Sequence, residues 1–121
     1  MTAIAEKNRT TVLRLFELVS KGDVDGALAL VSDDYVEHNA VIGTVRADLG
    51  AYLHQVVTTS PQELLVKHVI AENEYVVVHM HTIWGGERPS TAAIDIFRFE
   101  GDLIAEHWDT VQPLPTAVPA D

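Results

Sequence analysis

The feature that most limits how this chain can fold is a change of period at Ser60-Pro61. Before it, apolar residues recur at helical spacing. Val12, Leu15, Phe16 and Val19 follow the i, i+3, i+4, i+7 rule, so residues 4–20 are expected to form an amphipathic helix that stops at Lys21-Gly22. Asp23 is a cap for a shorter helix from about Val24 to Val31, ended by Ser32-Asp33-Asp34. Tyr35 to Asn39 reads as a short extended piece. Thr44 is the expected cap of a third helix running to about Thr59, where Leu49, Tyr52, Leu53, Val56 and Val57 make the cleanest stripe.

After Ser60-Pro61 come β-branched and aromatic runs at Glu63–Glu72, Tyr75–Trp84, Thr91–Phe99 and Leu103–Gln112. Asn73-Glu74, Gly85 to Pro89 and Glu100-Gly101-Asp102 separate them, and connections this short make an antiparallel meander. Three helices followed by a sheet is an α+β layout in one domain, residues 1–121, with helices packed on one sheet face. A curved antiparallel sheet with three N-terminal helices across its concave side would enclose a cone-shaped pocket. Pro113, Pro115 and Pro119 are expected to end the last strand and leave residues 113–121 as a mobile tail.

Charge narrows the partners. Eighteen acidic side chains against eight basic ones give a net charge of −10, a field that repels phosphate backbones and anionic membrane surfaces. With no cysteine, disulfides, thiolate metal sites and thiol nucleophiles fall away together. The first eleven residues lack the apolar core of a secretory signal, and no apolar run approaches the roughly 18 residues needed to cross a bilayer. A soluble, cytoplasmic protein with a small-molecule ligand is the expectation.

The chemistry concentrates near the end of the chain. Asp95 lies between Ile94 and Ile96 on one strand, and His107 and Asp109 alternate on the next, so both of the latter project from one face. Charged groups on core-facing strands must be paired, hydrated or used. Asp109, flanked by Trp108 and Val111, is the leading general base, because a carboxylate partly stripped of water has its pKa raised toward the useful range. A three-residue loop, Glu100 to Asp102, puts Asp95 opposite His107; a two-residue loop at Gly101-Asp102 sends it to the other face. Its plain structural alternative is a carboxylate that fixes a histidine tautomer.

Tyr35, His38 and Asn39, at a loop mouth, can donate hydrogen bonds to a carbonyl oxygen or to the enolate it becomes. His79 and His81 share a strand face and are candidate substrate contacts, with Trp84 as a wall residue. Together with His107 and Asp109, that histidine pair also matches the ligand types of zinc or iron, which makes a metal-dependent enzyme an alternative. His54 and His68 read as surface or interface residues.

The segments Tyr35-Val-Glu-His38-Asn39, Val69-Ile-Ala-Glu72, Val76-Val-Val-His79-Met-His81, Asp95-Ile-Phe-Arg98, Glu106-His-Trp-Asp109 and Gln112-Pro113 resemble the SnoaL-like polyketide cyclase family, within the nuclear transport factor 2-like fold group. The resemblance spans about residues 6–115. It implies a curved sheet around a deep pocket, a homodimer through the outer sheet face, and ring closure by aldol condensation without metal or organic cofactor. Asp109 matches the base of that chemistry, with His107 and His38 as donors or proton carriers. The fold group also hosts isomerases, dehydratases, epoxide hydrolases and non-catalytic binding modules. The expected function is therefore a cofactor-independent lyase or isomerase that removes a proton alpha to a carbonyl. A binding module that holds an apolar molecule unchanged is the rival.

Overall fold

The computed structural model describes residues 1–59, 63–84 and 88–114. Three helices, α1 (Ala3–Ser20), α2 (Val24–Leu28) and α3 (Arg46–Thr59), accompany five strands: β1 (Val31–Glu37), β2 (Glu63–Glu72), β3 (Tyr75–Ile83), β4 (Thr91–Glu100) and β5 (Leu103–Pro113). The sheet order is β1-β5-β4-β3-β2, curved and unclosed. Strands β2 to β5 form the antiparallel meander, and β1 adds to its edge parallel to β5.

Local chemistry explains most boundaries. Thr2 caps α1 by accepting from the Ala5 N–H, and Asp23 caps α2 by accepting from the Gly26 N–H. The second helix is shorter than its apolar pattern suggests because its final carbonyls find partners elsewhere. Arg46 donates to the Leu28 and Val31 carbonyls, and the Ile104 N–H to that of Leu30. The chain therefore turns extended at Val31, earlier than Tyr35. The third helix is capped from inside rather than by Thr44: the Asp48 carboxylate accepts from the Thr44 and Val45 N–H groups. Gly43 allows this, since a Cβ there would lie 2.4 Å from that of Asp48.

The core lies between the helices and the concave sheet face. Val12, Val76, Val78 and Ile104 are completely or almost completely buried, and Phe16 meets the Phe97 ring edge-on at 5.9 Å. Each such side chain contributes about 1.5–3 kcal/mol by leaving water. Pro113 belongs to β5, and Leu114 donates its N–H to the Ser90 carbonyl. The remainder of the expected tail, residues 115–121, lies outside the described residues, as do Ser60-Pro61 and Gly85 to Glu87 of the expected connections.

Candidate active site

The β4–β5 hairpin sets the site. Glu100 pairs with Leu103, so the turn has two residues, Gly101-Asp102, with Gly101 at φ +58°. A straight ladder from that turn would send Asp95 and His107 to opposite faces. The register instead shifts between Arg98 and Phe99: Phe99 pairs with Ile104, and Arg98 with Glu106. Ala105 is the extra residue, a bulge that turns the rest of β5 over. As a result Asp95 pairs with Asp109 and Phe97 with His107, and all three polar groups face inward.

His107 is the hub. Its ring is buried and bonded on both nitrogens: Nδ1 lies 2.7 Å from Glu37 Oε2 and Nε2 lies 2.8 Å from Asp95 Oδ1. Asp109 Oδ2 is 4.0 Å from Nε2. Burial alone would lower the imidazole pKa, but the bonds to Asp95 and Glu37 outweigh it and push the value up to about 9. At neutral pH His107 is an imidazolium donating to two carboxylates. Glu37 also accepts from the Tyr35 hydroxyl and from the His38 and Asn39 N–H groups. Burial raises the Glu37 pKa, yet the His107, Tyr35 and Asn39 bonds leave it below its ordinary value. The buried Tyr35 phenol is raised far above its ordinary range by desolvation and by Glu37 beside it, so it stays a neutral donor.

Asp109 is placed differently. Burial pushes its carboxyl above the ordinary value; the His107 charge and the Asn39 bond pull it back, while Asp95 and Glu37 add to the rise. Asn39 Nδ2 donates to Oδ1 at 2.8 Å, fixing the carboxylate plane. Asp95 Oδ2 is buried without a hydrogen-bond partner. These groups form the polar part of a cavity of about 340 Å³, within the size range of small-molecule sites. Phe16, Leu53, Val56, Met80 and Val111 supply apolar wall, with Trp84 and Arg88 also in the lining. Tyr52, on α3, lines the same cavity, and its hydroxyl has no hydrogen-bond partner among the described residues.

The SnoaL-like domain family matches residues 12–107. The chain belongs to that family. No curated protein matches the sequence closely enough to count as a relative. Among solved structures, this SnoaL-like domain is similar to an NTF-2 like protein of unknown function from Burkholderia xenovorans, with TM-score 0.79 and 16% identity over 98% of this chain and 92% of that one. It is also similar to a steroid delta-isomerase from Pseudomonas aeruginosa, with TM-score 0.72 and 20% identity over 94% and 85%. A third is TsrD from Streptomyces laurentii, with TM-score 0.69 and 23% identity over 85% and 89%. At such identities the likeness shows the shared nuclear transport factor 2-like fold.

The SnoaL-like cavity gathers Asp109, Asp95, His107, Tyr35, Asn39 and Trp84. It does not gather the other three candidates. His38 is exposed, with Nε2 2.6 Å from Glu106 and its ring stacked on Trp108 at 4.8 Å. His79 and His81 alternate with the inward Met80 and Thr82, so they lie on the outer face. There His79 stacks on His68, 5.2 Å between centroids, and meets His81 edge-on. The four-residue metal set of His79, His81, His107 and Asp109 is therefore split between the two sheet faces. Asp95, His107 and Asp109 do offer one ligand atom each within 4.8 Å. A cation there would have to displace the imidazolium proton and open the Asp95 bond.

Glu37, Tyr52 and Arg88 belong to the site without having stood out in the sequence. Strand parity carries the signal for Glu37: if Tyr35 faces the core, so do residues 37 and 39, and residue 38 does not. Tyr52 sits within the helical stripe and reads as core.

Proposed function

We propose that this domain is a cofactor-independent enzyme of the lyase or isomerase type, removing a proton alpha to a carbonyl on a small, mainly apolar molecule. The observation that carries the reading is Asp109: a half-buried carboxylate of raised pKa, oriented by Asn39 and open to an apolar cavity. Similarity to a protein named steroid delta-isomerase supports an isomerase within that class.

In this mechanism an Asp109 oxygen takes the alpha proton, the C–H electron pair moves toward the carbonyl, and an enolate forms. Tyr52 is the donor for that oxygen. Its phenol is raised above its ordinary pKa, by burial first and then by the Asp109 charge, and therefore remains protonated. Asp109 then returns the proton to another carbon, giving an isomer. Alternatively the enolate carbon attacks a second carbonyl, whose oxygen takes the proton, in an aldol-type closure. His107 bonds both its nitrogens to carboxylates, so it acts as a positioning residue that holds Asp95 and Glu37. We place the expected homodimer on the outer sheet face, where Ile94 is 40% exposed.

Deuterium exchange tests the reading. Aryl alkyl ketones incubated with the protein in D2O and followed by NMR should gain deuterium at the alpha carbon. Asp109→Asn should lower that rate by about 10²-fold or more. Exchange by the variant at the wild-type rate removes Asp109 as base. Ketone binding without exchange favours a module that holds its ligand unchanged.

A further inference from the structure

Proton transfer by Asp109 and Tyr52 makes no use of Arg88. Arg88 lines the cavity, and its guanidinium carbon lies 3.6 Å from the centroid of the Trp84 ring. Trp84 is itself fixed, its Nε1–H donating to Thr91 Oγ1 at 3.1 Å. A guanidinium stacked by its face keeps its N–H groups pointing outward in the plane, where they can take a carboxylate with two parallel bonds. Among the described residues Arg88 has no ion pair, although the chain carries 18 acidic side chains against eight basic ones. Arg14, Arg46 and Arg98, by contrast, all donate to carboxylates or carbonyls.

The cavity is polarised. Glu37, Asp95 and Asp109 surround the single imidazolium of His107 at one end, which leaves an excess of negative charge there. Arg88 is exposed and joins the lining beside Trp84 and Thr91, where β3 ends and β4 begins. The Tyr52 hydroxyl feels both ends, Asp109 raising and Arg88 lowering its pKa. An anionic group on a ligand is repelled from the acid cluster and drawn to Arg88, while an apolar body fills the wall between.

Resting on the proton-transfer reading, we infer that the ligand is an apolar carbonyl compound bearing a carboxylate, and that Arg88 anchors this carboxylate at the mouth. The anchor orients the molecule, carbonyl toward Tyr52 and Asp109. It also overcomes the repulsion that a protein of net charge −10 exerts on an anion.

Isothermal titration calorimetry with 3-benzoylpropanoate and its neutral amide tests this at pH 7. The wild-type protein should bind the acid about tenfold more tightly than the amide, with the preference shrinking as salt rises. Arg88→Gln should bring the acid down to the level of the amide and leave the amide unchanged. Arg88→Lys, which keeps the charge but not the fork, should retain part of the preference. Asp109→Asn, which takes one charge out of the acid cluster, should bind the acid at least as preferentially as the wild type, and Arg88→Gln added to it should abolish the preference, so the anchor is tested whether or not Asp109 is the base. Equal affinities in the wild type, failure to bind either probe, or an undiminished preference in Arg88→Gln would overturn the inference. Loss of both probes in Arg88→Gln would make Arg88 a wall residue and overturn it equally.

Discussion

Asp95 and Asp109 face each other directly across the β4–β5 ladder, two inward carboxylates with one imidazolium within reach of both. Like charges opposite one another on a sheet are unfavourable, and these two are partly or wholly desolvated. Only Asp95 has the short bond to His107; Asp109 stands 4.0 Å away. The two asparagine variants should therefore move stability in opposite directions. Asp109→Asn relieves repulsion while its amide oxygen still accepts from Asn39, a gain of about 1 kcal/mol. Asp95→Asn removes a charge-assisted bond from a buried imidazolium, a loss of about 2–3 kcal/mol. Urea unfolding of the two variants checks the signs, and a loss in both would show that repulsion is not felt.

Stability should also fall on the alkaline side. The His107 pKa is raised from its ordinary 6.5 to about 9 in the folded protein. A group raised on folding contributes stability in full below its unfolded pKa and loses it as pH climbs through the folded one. The loss should run from about pH 6.5 to pH 9 and amount to no more than roughly 3 kcal/mol. A histidine ring titrating near pH 9 by NMR, absent in His107→Gln, is the direct measurement. The variant should also show a flatter stability profile across that window.

How far the sequence reveals this site depends on what repeats and what does not. The meander is legible because strands of β-branched residues are punctuated by turn residues, with two-residue turns at Asn73-Glu74 and Gly101-Asp102, and Asn73, at φ +53°, is a residue type that tolerates such a turn. The Ala105 bulge is not. A small apolar residue between Ile104 and Glu106 carries no mark of being extra, and it alone decides which way Asp95 faces relative to His107. The facing of His79 and His81 was hidden for another reason. In Tyr75-Val-Val-Val both alternating sets are apolar, so period 2 gives no contrast between core and outer face. His38 carries the conspicuous imidazole of this segment, whereas Glu37 beside it makes the buried bonds.

Glu37 should be among the most sensitive positions in the domain. Its carboxylate accepts four hydrogen bonds, from Tyr35, His38, Asn39 and His107. Glu37→Gln puts an amide where one oxygen must accept, leaving a buried donor facing a donor and the imidazolium with half its counter-charge. The cost should be about 3–5 kcal/mol. Tyr35→Phe removes one bond to the same carboxylate and should cost about 1–2 kcal/mol. Thermal unfolding of the pair tests the ranking: if Tyr35→Phe proves the more damaging, the tyrosine rather than the carboxylate organises the end of β1.

Tyr52 separates chemistry from architecture. It packs with the core cluster from α3 and lines the cavity, and its hydroxyl has no partner among the described residues. Removing that oxygen leaves the packing intact, and no protein group is orphaned by its loss. Tyr52→Phe should therefore unfold within about 0.5 kcal/mol of the wild type. If the phenol donates to the enolate, the bond strengthens as charge develops, so kcat for deuterium exchange should fall by about 10–10²-fold with little change in KM. A rise in KM at constant kcat would instead make Tyr52 a residue that binds the ground state. An unchanged rate would pass the donor role to Asn39, whose second amide hydrogen is the other candidate beside Asp109.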